Sequence, residues 1–249
     1  MSEAIARRRM SPHRSPADPS RGLFETLLVR DRRPVELEAH LMRLAASVAT
    51  LYGAPVPDGA GERVTERAAE VELGRLRLTV TPDGDASPAA DVRVAPVDPE
   101  AVFPSFDRAA RLARLDVPDG LGAHKWADRS VLEEAEREDA VALVVAADGG
   151  VLEASRANVF IVEDGAILTP PADGRILPGV TRRRVLELVP VQEQAIPLDR
   201  LLAADEVFLT NSVRGIEPVR DCDGARTWAP GPVTPAVAGE LRRHWEMGP

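Results

Sequence analysis

Residues 152–182 read LEASRANVFIVEDGAILTPPADGRILPGVTR, and the fold is decided here. Two β-compatible runs, NVFIVE and AILT, are joined by Asp164 and Gly165. A two-residue Asp-Gly connection between such runs is a hairpin signal. Further on, Gly179 stands before Val180 and Thr181 at the start of the helical pattern VTRRRVLELV. A glycine turn that opens a helix exposes backbone N–H groups, and with the helix dipole these attract a phosphate. Taken alone, a plain turn with Thr181 as a helix cap is the commoner reading of the same residues. Glu153 closes one apolar strand just before Asn158, Val159 and Phe160 open the next. A carboxylate in that place suits the ring nitrogen of a cofactor; an exposed hairpin acid is the plain alternative.

Working outward, residues 208–212, FLTNS, form an apolar strand that ends in Thr210, Asn211 and Ser212. Three polar side chains at one strand end can serve a ligand or simply a turn. Residues 39–44, AHLMRL, put Arg43 beside the apolar positions Leu41 and Leu44 of a helix. An arginine there serves a buried anion or ion pair, or snorkels from the edge of the stripe. Lys125 is the one lysine in the chain, against 30 arginines. A GC-rich codon bias explains the arginines but not the survivor. Arginine matches lysine in charge but cannot become a neutral amine at physiological pH, so a lone lysine points to Schiff-base chemistry with a carbonyl.

Composition removes several classes of function. A net charge of −9 argues against a general nucleic-acid surface. No apolar run approaches the roughly 20 residues of a membrane helix. The single cysteine, Cys222, rules out an internal disulfide and a cysteine-based zinc site. His13, His40, His124 and His244 lack ligand spacing, so no metal is expected. Residues 1–22, rich in Arg, Ser and Pro, lack the apolar core of a secretory signal. They read as a disordered tail, and a cytoplasmic location follows by default.

Along the chain, residues 23–30 read as a strand. A helix then carries Leu37, Leu41, Leu44, Val48 and Leu51 at helical spacing and stops at Gly53. Residues 59–73 read as a second helix, and Leu76, Leu78 and Val80 alternate in a strand. Pro118, Gly120 and Gly122 mark a connection. The expected organisation is a small α+β domain over 23–113, a linker over 114–123 and a larger domain over 124–249. SVLEEAEREDA (130–140) looks helical, and β-hairpins follow.

Each of these signals is weak alone; their order along one chain is specific. E153-A-S-R-A-N158-V-F, T169-P and I176-L-P-G-V-T-R182, correctly spaced, resemble the class IV pyridoxal-phosphate aminotransferase family over about residues 22–220. That family holds branched-chain and D-amino-acid aminotransferases and 4-amino-4-deoxychorismate lyases. The resemblance implies the two-domain α+β (α/β) architecture of a fold-type IV enzyme, like D-amino-acid aminotransferase, with the cofactor between the domains and a homodimer. It implies that Lys125 forms the Schiff base with pyridoxal 5'-phosphate and that Glu153 holds the pyridinium nitrogen. It further implies that Arg43, the amides of Val180 and Thr181, the Thr181 hydroxyl and Ser212 bind the phosphate. An arginine and a helix N-terminus suit a dianion, and a protonated ring acts as an electron sink.

Within the family, H124-K-W-A-D-R129, G22-L-F-E-T26 and N211-S-V-R-G-I-E-P-V219 resemble the lyase subgroup. The reaction so implied turns 4-amino-4-deoxychorismate into 4-aminobenzoate, a folate precursor, and pyruvate. Lys125 would move the proton and Thr26 would supply the one that pyruvate needs. Arg129, Arg156 and Arg214 are candidates for the carboxylates of this small anionic substrate, although a solvated charge is the commoner role of a surface arginine. An amino-acid aminotransferase using the same residues is the alternative, and a non-catalytic cofactor-binding relative is a further one. Two departures stand out. Phe24 occupies the strand position where D-amino-acid enzymes carry tyrosine. The family's glycine–aspartate–glycine opening turn is not recognisable in SPADPSRG (15–22).

Overall fold

The computed structural model describes residues 8–9, 18–84, 86–130, 132, 136 and 140–247. The chain divides into two compact units. The smaller comprises Ala17–Val102 with His124–Arg129; the larger holds Phe103–Ala123 and Ser130–Glu246. The first strand, β1 (Arg8–Arg9), pairs with a strand of the larger unit.

The smaller unit runs β2 (Leu23–Arg30), β3 (Arg33–Pro34), α1 (Leu37–Tyr52), α2 (Ala60–Ala68), β4 (Leu73–Asp83) and β5 (Ala86–Pro96). The strands form one antiparallel sheet in the order β3-β2-β4-β5. Leu23, Leu27 and Val29 of β2 join Leu76, Leu78 and Val80 of β4 in a buried cluster with Leu44 and Val48 of α1 and Val64 of α2. The period-2 pattern of the strands thus meets the helical stripe read from the sequence. At the end of α1 the Gly53 N–H bonds back to the Ala49 carbonyl. The second helix is shorter than the expected 59–73. It ends at Ala68 because Leu73 already pairs with Arg30 in the sheet, which takes the backbone away from a helix.

The larger unit contains β6 (Ala110–Asp116), β7 (Ala140–Val145), β8 (Gly150–Ala154), β9 (Asn158–Glu163), β10 (Ala166–Thr169) and α3 (Val180–Leu188). Then come β11 (Val191–Glu193), β12 (Ile196–Pro197), α4 (Leu198–Ala203), β13 (Glu206–Asn211), β14 (Gly215–Cys222), β15 (Arg226–Thr227) and α5 (Val233–Met247). Its main sheet follows the order β11-β10-β9-β13-β14-β6-β7-β8-β12. The β9–β10 hairpin turns at Asp164 and Gly165, with φ of 48° and 79°. Two successive positive φ values make the turn whose twist matches the strands, which is why Asp-Gly stands there. Val145, Val159, Ile161, Leu209 and Val219 pack in one cluster, and Leu115, Val144, Leu152 and Ile176 in another. The rings of Phe160 and Phe208 stack at 4.9 Å.

The structure moves the expected boundary. The expected linker, 114–123, opens inside β6, a strand paired in parallel with β7 on one side and β14 on the other. The smaller unit therefore ends at Val102 rather than 113, and His124–Arg129 return to it. The tail expected over 1–22 lies outside the described residues, except for β1 and residues from Asp18 onward, where Pro19–Arg21 form a 3-10 turn. The helix expected over 130–140 also lies largely outside them. Among the described residues, no helix is long and apolar enough to cross a membrane.

Candidate active site

The lysine is placed by the sheet of the smaller unit. Strand β3 covers only Val29 and Arg30 of β2, which leaves the other half of that edge open. The lysine segment fills it. Leu23 bridges Trp126, the Phe24 N–H donates to the Lys125 carbonyl at 2.9 Å, and the Ala127 N–H donates to the Gly22 carbonyl at 2.9 Å. Side chains alternate across such a pairing. Trp126 packs against the core cluster, and Lys125 takes the opposite face with Phe24. Its Nζ lies 4.8 Å from the centre of the Phe24 ring, and the Arg77 guanidinium lies 3.9 Å from the same ring. Thr26 stands two residues along β2 from Phe24 on that face, directly opposite Arg77.

The core-facing side of β2 carries a charged group that the sequence reading passed over. Glu25, 1% exposed, accepts from Arg43 Nε at 2.8 Å and Nη2 at 2.6 Å, and stands 2.7 Å from His40 Nδ1. Burial alone would push the Glu25 carboxyl up. The Arg43 charge and the hydrogen bonds from His40 and Arg43 outweigh it and bring the pKa to about 2. Burial also holds His40 below its ordinary 6.5, against the pull of Glu25. An ionised carboxylate only accepts, so neutral His40 donates through Nδ1. In the same unit, His124 Nδ1 lies 3.0 Å from the Ser47 hydroxyl of α1, and burial lowers the His124 pKa. A charge inside the apolar run LFETLLV, and a histidine three residues before an arginine on one helix stripe, were the available signals for this cluster.

The larger unit gathers the remaining polar groups. Glu153, near the end of β8 and 5% exposed, accepts from the Leu177 N–H at 3.2 Å. The Asn158 amide, at the start of β9, donates to the Leu177 carbonyl at 2.9 Å. Both side chains thus fix the backbone that leads into α3. Next comes Gly179, where a Cβ would fall 2.0 Å from Asn158 Oδ1, so only glycine allows this close approach. The first N–H groups of α3 have no acceptor within the helix, and Gly179 at the cap position has no side chain to offer them. The Thr181 hydroxyl lies 3.3 Å from that of Ser212, just beyond β13. The Thr210 hydroxyl is buried with no hydrogen-bond partner among the described residues.

The three candidate substrate arginines have different settings. Arg129 is half-buried in the segment that carries Lys125. Arg156 Nη2 and Arg214 Nε both approach one carboxylate oxygen of the buried Glu217 at 3.0 Å. Two guanidinium groups on one carboxylate leave an excess positive charge. Glu217, one residue past Ile216 in a β-run, gave no signal in the sequence. Among the sequence-selected residues, Lys125, Thr26, Arg43 and Arg129 belong to the smaller unit, and Glu153, Arg156, Val180, Thr181, Ser212 and Arg214 to the larger.

Comparison with known proteins identifies the family. The chain matches the model of the amino-transferase class IV family over residues 22–222, and it belongs to that family. It is 33% identical over 240 residues to a bifunctional aminodeoxychorismate lyase / D-amino acid transaminase of Mycobacterium tuberculosis, covering 82% of this chain and 83% of that one. The structure of 4-amino-4-deoxychorismate lyase from Pseudomonas aeruginosa superposes with a TM-score of 0.74 at 31% identity, over 90% of this chain and 91% of that one. A hypothetical aminotransferase from Mycobacterium tuberculosis, in a PLP-bound form, gives 0.76 at 28% identity, over 94% of each chain. The fold is that of fold-type IV enzymes, and the protein is a pyridoxal-phosphate-dependent enzyme of class IV. The groups present have the chemistry this cofactor asks for. There is a primary amine for its carbonyl, a buried carboxylate for its ring nitrogen, and an uncapped helix start with neighbouring hydroxyls for its phosphate.

Proposed function

We propose that the protein is a lyase that converts 4-amino-4-deoxychorismate to 4-aminobenzoate and pyruvate, a step of folate precursor synthesis. One observation carries the choice within the class. Thr26 stands on the same face of β2 as Phe24, whose ring lies 4.8 Å from Lys125 Nζ. A hydroxyl there stands on the lysine's side of the sheet, and a phenylalanine replaces the tyrosine of D-amino-acid enzymes. The likeness to the Mycobacterium tuberculosis and Pseudomonas aeruginosa proteins named above supports the reading.

When bound, pyridoxal phosphate supplies a carbonyl for the substrate amine and a ring that accepts electrons. Arg43, the Val180 and Thr181 amides and the Thr181 and Ser212 hydroxyls would hold its phosphate. The Glu153 carboxylate would keep the ring nitrogen protonated. With the cofactor bound, Lys125 Nζ would be the base that takes the proton from the amine-bearing carbon of the substrate. The bond to the enolpyruvyl oxygen then breaks and the six-membered ring becomes aromatic. The Thr26 hydroxyl delivers the proton that turns departing enolpyruvate into pyruvate. Arg129, Arg156 and Arg214 offer positive charge to the substrate carboxylates.

The experiment is to supply purified, cofactor-loaded enzyme with aminodeoxychorismate, following 4-aminobenzoate by fluorescence and pyruvate by a coupled dehydrogenase. Equal amounts of both without added keto acid are expected. Amino transfer that requires a keto acid, with neither product formed, would overturn the lyase reading. The Mycobacterium tuberculosis relative is named for both activities, so D-amino-acid transamination is the second reading. It predicts keto-acid-dependent loss of D-alanine by the same protein. A homodimer in the cytoplasm is the accompanying expectation, testable by sedimentation and by fractionation.

A further inference from the structure

Glu25 lies on the core-facing side of β2 between Leu23 and Leu27, both 1% exposed. A carboxylate has no reason to stand in that row for stability alone. Taking it from water costs several kcal/mol, and a hydrophobic side chain of similar size serves a core as well or better. What distinguishes this one is the manner in which it holds its partners. It takes Arg43 by one edge, one oxygen on Nε and the other on Nη2. That two-point contact fixes the plane of the guanidinium. The same oxygen that meets Nη2 also accepts from His40, which sits three residues earlier on the same helix face. Glu25 is therefore itself held from two directions. An arginine on a helix has four side-chain torsions to fix, and without such a clamp it follows solvent. With it, Nη1 is the end turned away from Glu25.

We propose that Glu25 is a positioning residue for cofactor binding, buttressed by His40: it holds the Arg43 guanidinium in the orientation that receives the phosphate of pyridoxal phosphate. The inference rests on the reading that Arg43 binds that phosphate. Glu25 has two opposing effects on the site. Its negative charge weakens the attraction of Arg43 for a dianion, and its geometry removes the entropy cost of ordering the side chain. The inference states that geometry wins.

The test uses the cofactor-free full chain and two probes, pyridoxal phosphate and pyridoxal, which differ only in the phosphate. Each is titrated against absorbance of the lysine adduct, and the ratio, the dissociation constant of pyridoxal divided by that of pyridoxal phosphate, measures the contribution of the phosphate. For Glu25→Gln the ratio is expected to fall about tenfold or more, the effect of one hydrogen bond to a charged group, with pyridoxal binding changed less than twofold. A purely structural role would weaken both probes alike and leave the ratio unchanged, and that result overturns the inference. So does a ratio that rises, which would mean that the counter-charge outweighs the geometry. Arg43→Ala separates the two layers of the argument. If it lowers the ratio and Glu25→Gln does not, the positioning role fails while the phosphate role of Arg43 stands. If Arg43→Ala leaves the ratio unchanged, both fail. Should Glu25→Gln not fold, Glu25→Asp keeps the charge, withdraws it by one methylene and is judged by the same ratio.

Discussion

Replacing Glu25 by glutamine should change how the protein responds to acid. The Glu25 carboxyl has a pKa of about 2 in the folded chain against an ordinary 4.5. At about 1.4 kcal/mol for each tenfold change in proton affinity, that difference is worth about 3 kcal/mol. The folded value is the lower one. The contribution is therefore complete above pH 4.5 and is lost as the pH falls toward 2. Glutamine resembles a protonated glutamate, so Glu25→Gln should cost about 3 kcal/mol at neutral pH, close to the usual effect of breaking a buried ion pair. The gap should narrow between pH 5 and pH 2.5. His40 is held below 6.5 by burial and drawn up by Glu25. The variant lacks that pull, so His40 takes more stability from the variant as the pH falls below 6.5, and the Glu25 effect is read as the narrowing below pH 5. The assay is urea unfolding of the cofactor-free protein at several pH values, in a Trp228→Phe/Trp245→Phe background. Trp126 packs in the core of the smaller unit and reports it. A penalty that stays the same from pH 7 to pH 2.5 would refute the argument that Glu25 is ionised in the fold.

Four further outcomes are expected. Lys125→Arg keeps the charge but not the amine chemistry. Borohydride treatment should then add no mass at position 125, and turnover should fall by about a thousandfold or more, as seen when a proton-transferring group is lost. Gly179→Ala places a Cβ 2.0 Å from Asn158 Oδ1. It should cost about 1–3 kcal/mol by overpacking, visible as a lower thermal midpoint together with weaker cofactor binding in titrations of the apo-protein. Thr26→Val should lower pyruvate formation by about a hundredfold while Thr26→Ser retains most of it, measured in the coupled assay; equal rates for both would remove Thr26 from the reaction. Glu206 accepts from the Val233 and Thr234 N–H groups at 2.9 and 2.7 Å, at the start of α5. Glu206→Ala should destabilise the larger unit by about 2 kcal/mol, read from the denaturant midpoint.

Much of this architecture was legible because the signals were local. β2, α1 with its stop at Gly53, the Asp164-Gly165 hairpin and the start of α3 each lie within one short window of sequence. Period, turn chemistry and glycine placement act over just such windows. β6 was misread because its evidence is remote. Its partners are β7 and β14, and nothing within LARLD announces that both edges are hydrogen-bonded. Pro118, Gly120 and Gly122 drew the eye to a boundary that lies elsewhere. The polar residues divide in the same way. Lys125, Arg43, Glu153 and Thr181 stood out by type and order. Glu25, His40 and Glu217 have meaning only through partners brought near by folding, so burial had to be seen before their roles could be argued.

The chain passes between its two units on either side of the short segment His124–Arg129. Genetic modularity is thereby denied to this enzyme. A gene fragment that stops at Val102 encodes the small sheet without the strand that brings the amine, and one that starts at Phe103 encodes the amine without the sheet edge that receives it. Recombination or domain exchange at the evident boundary separates the Lys125 segment from the β2 edge that receives it.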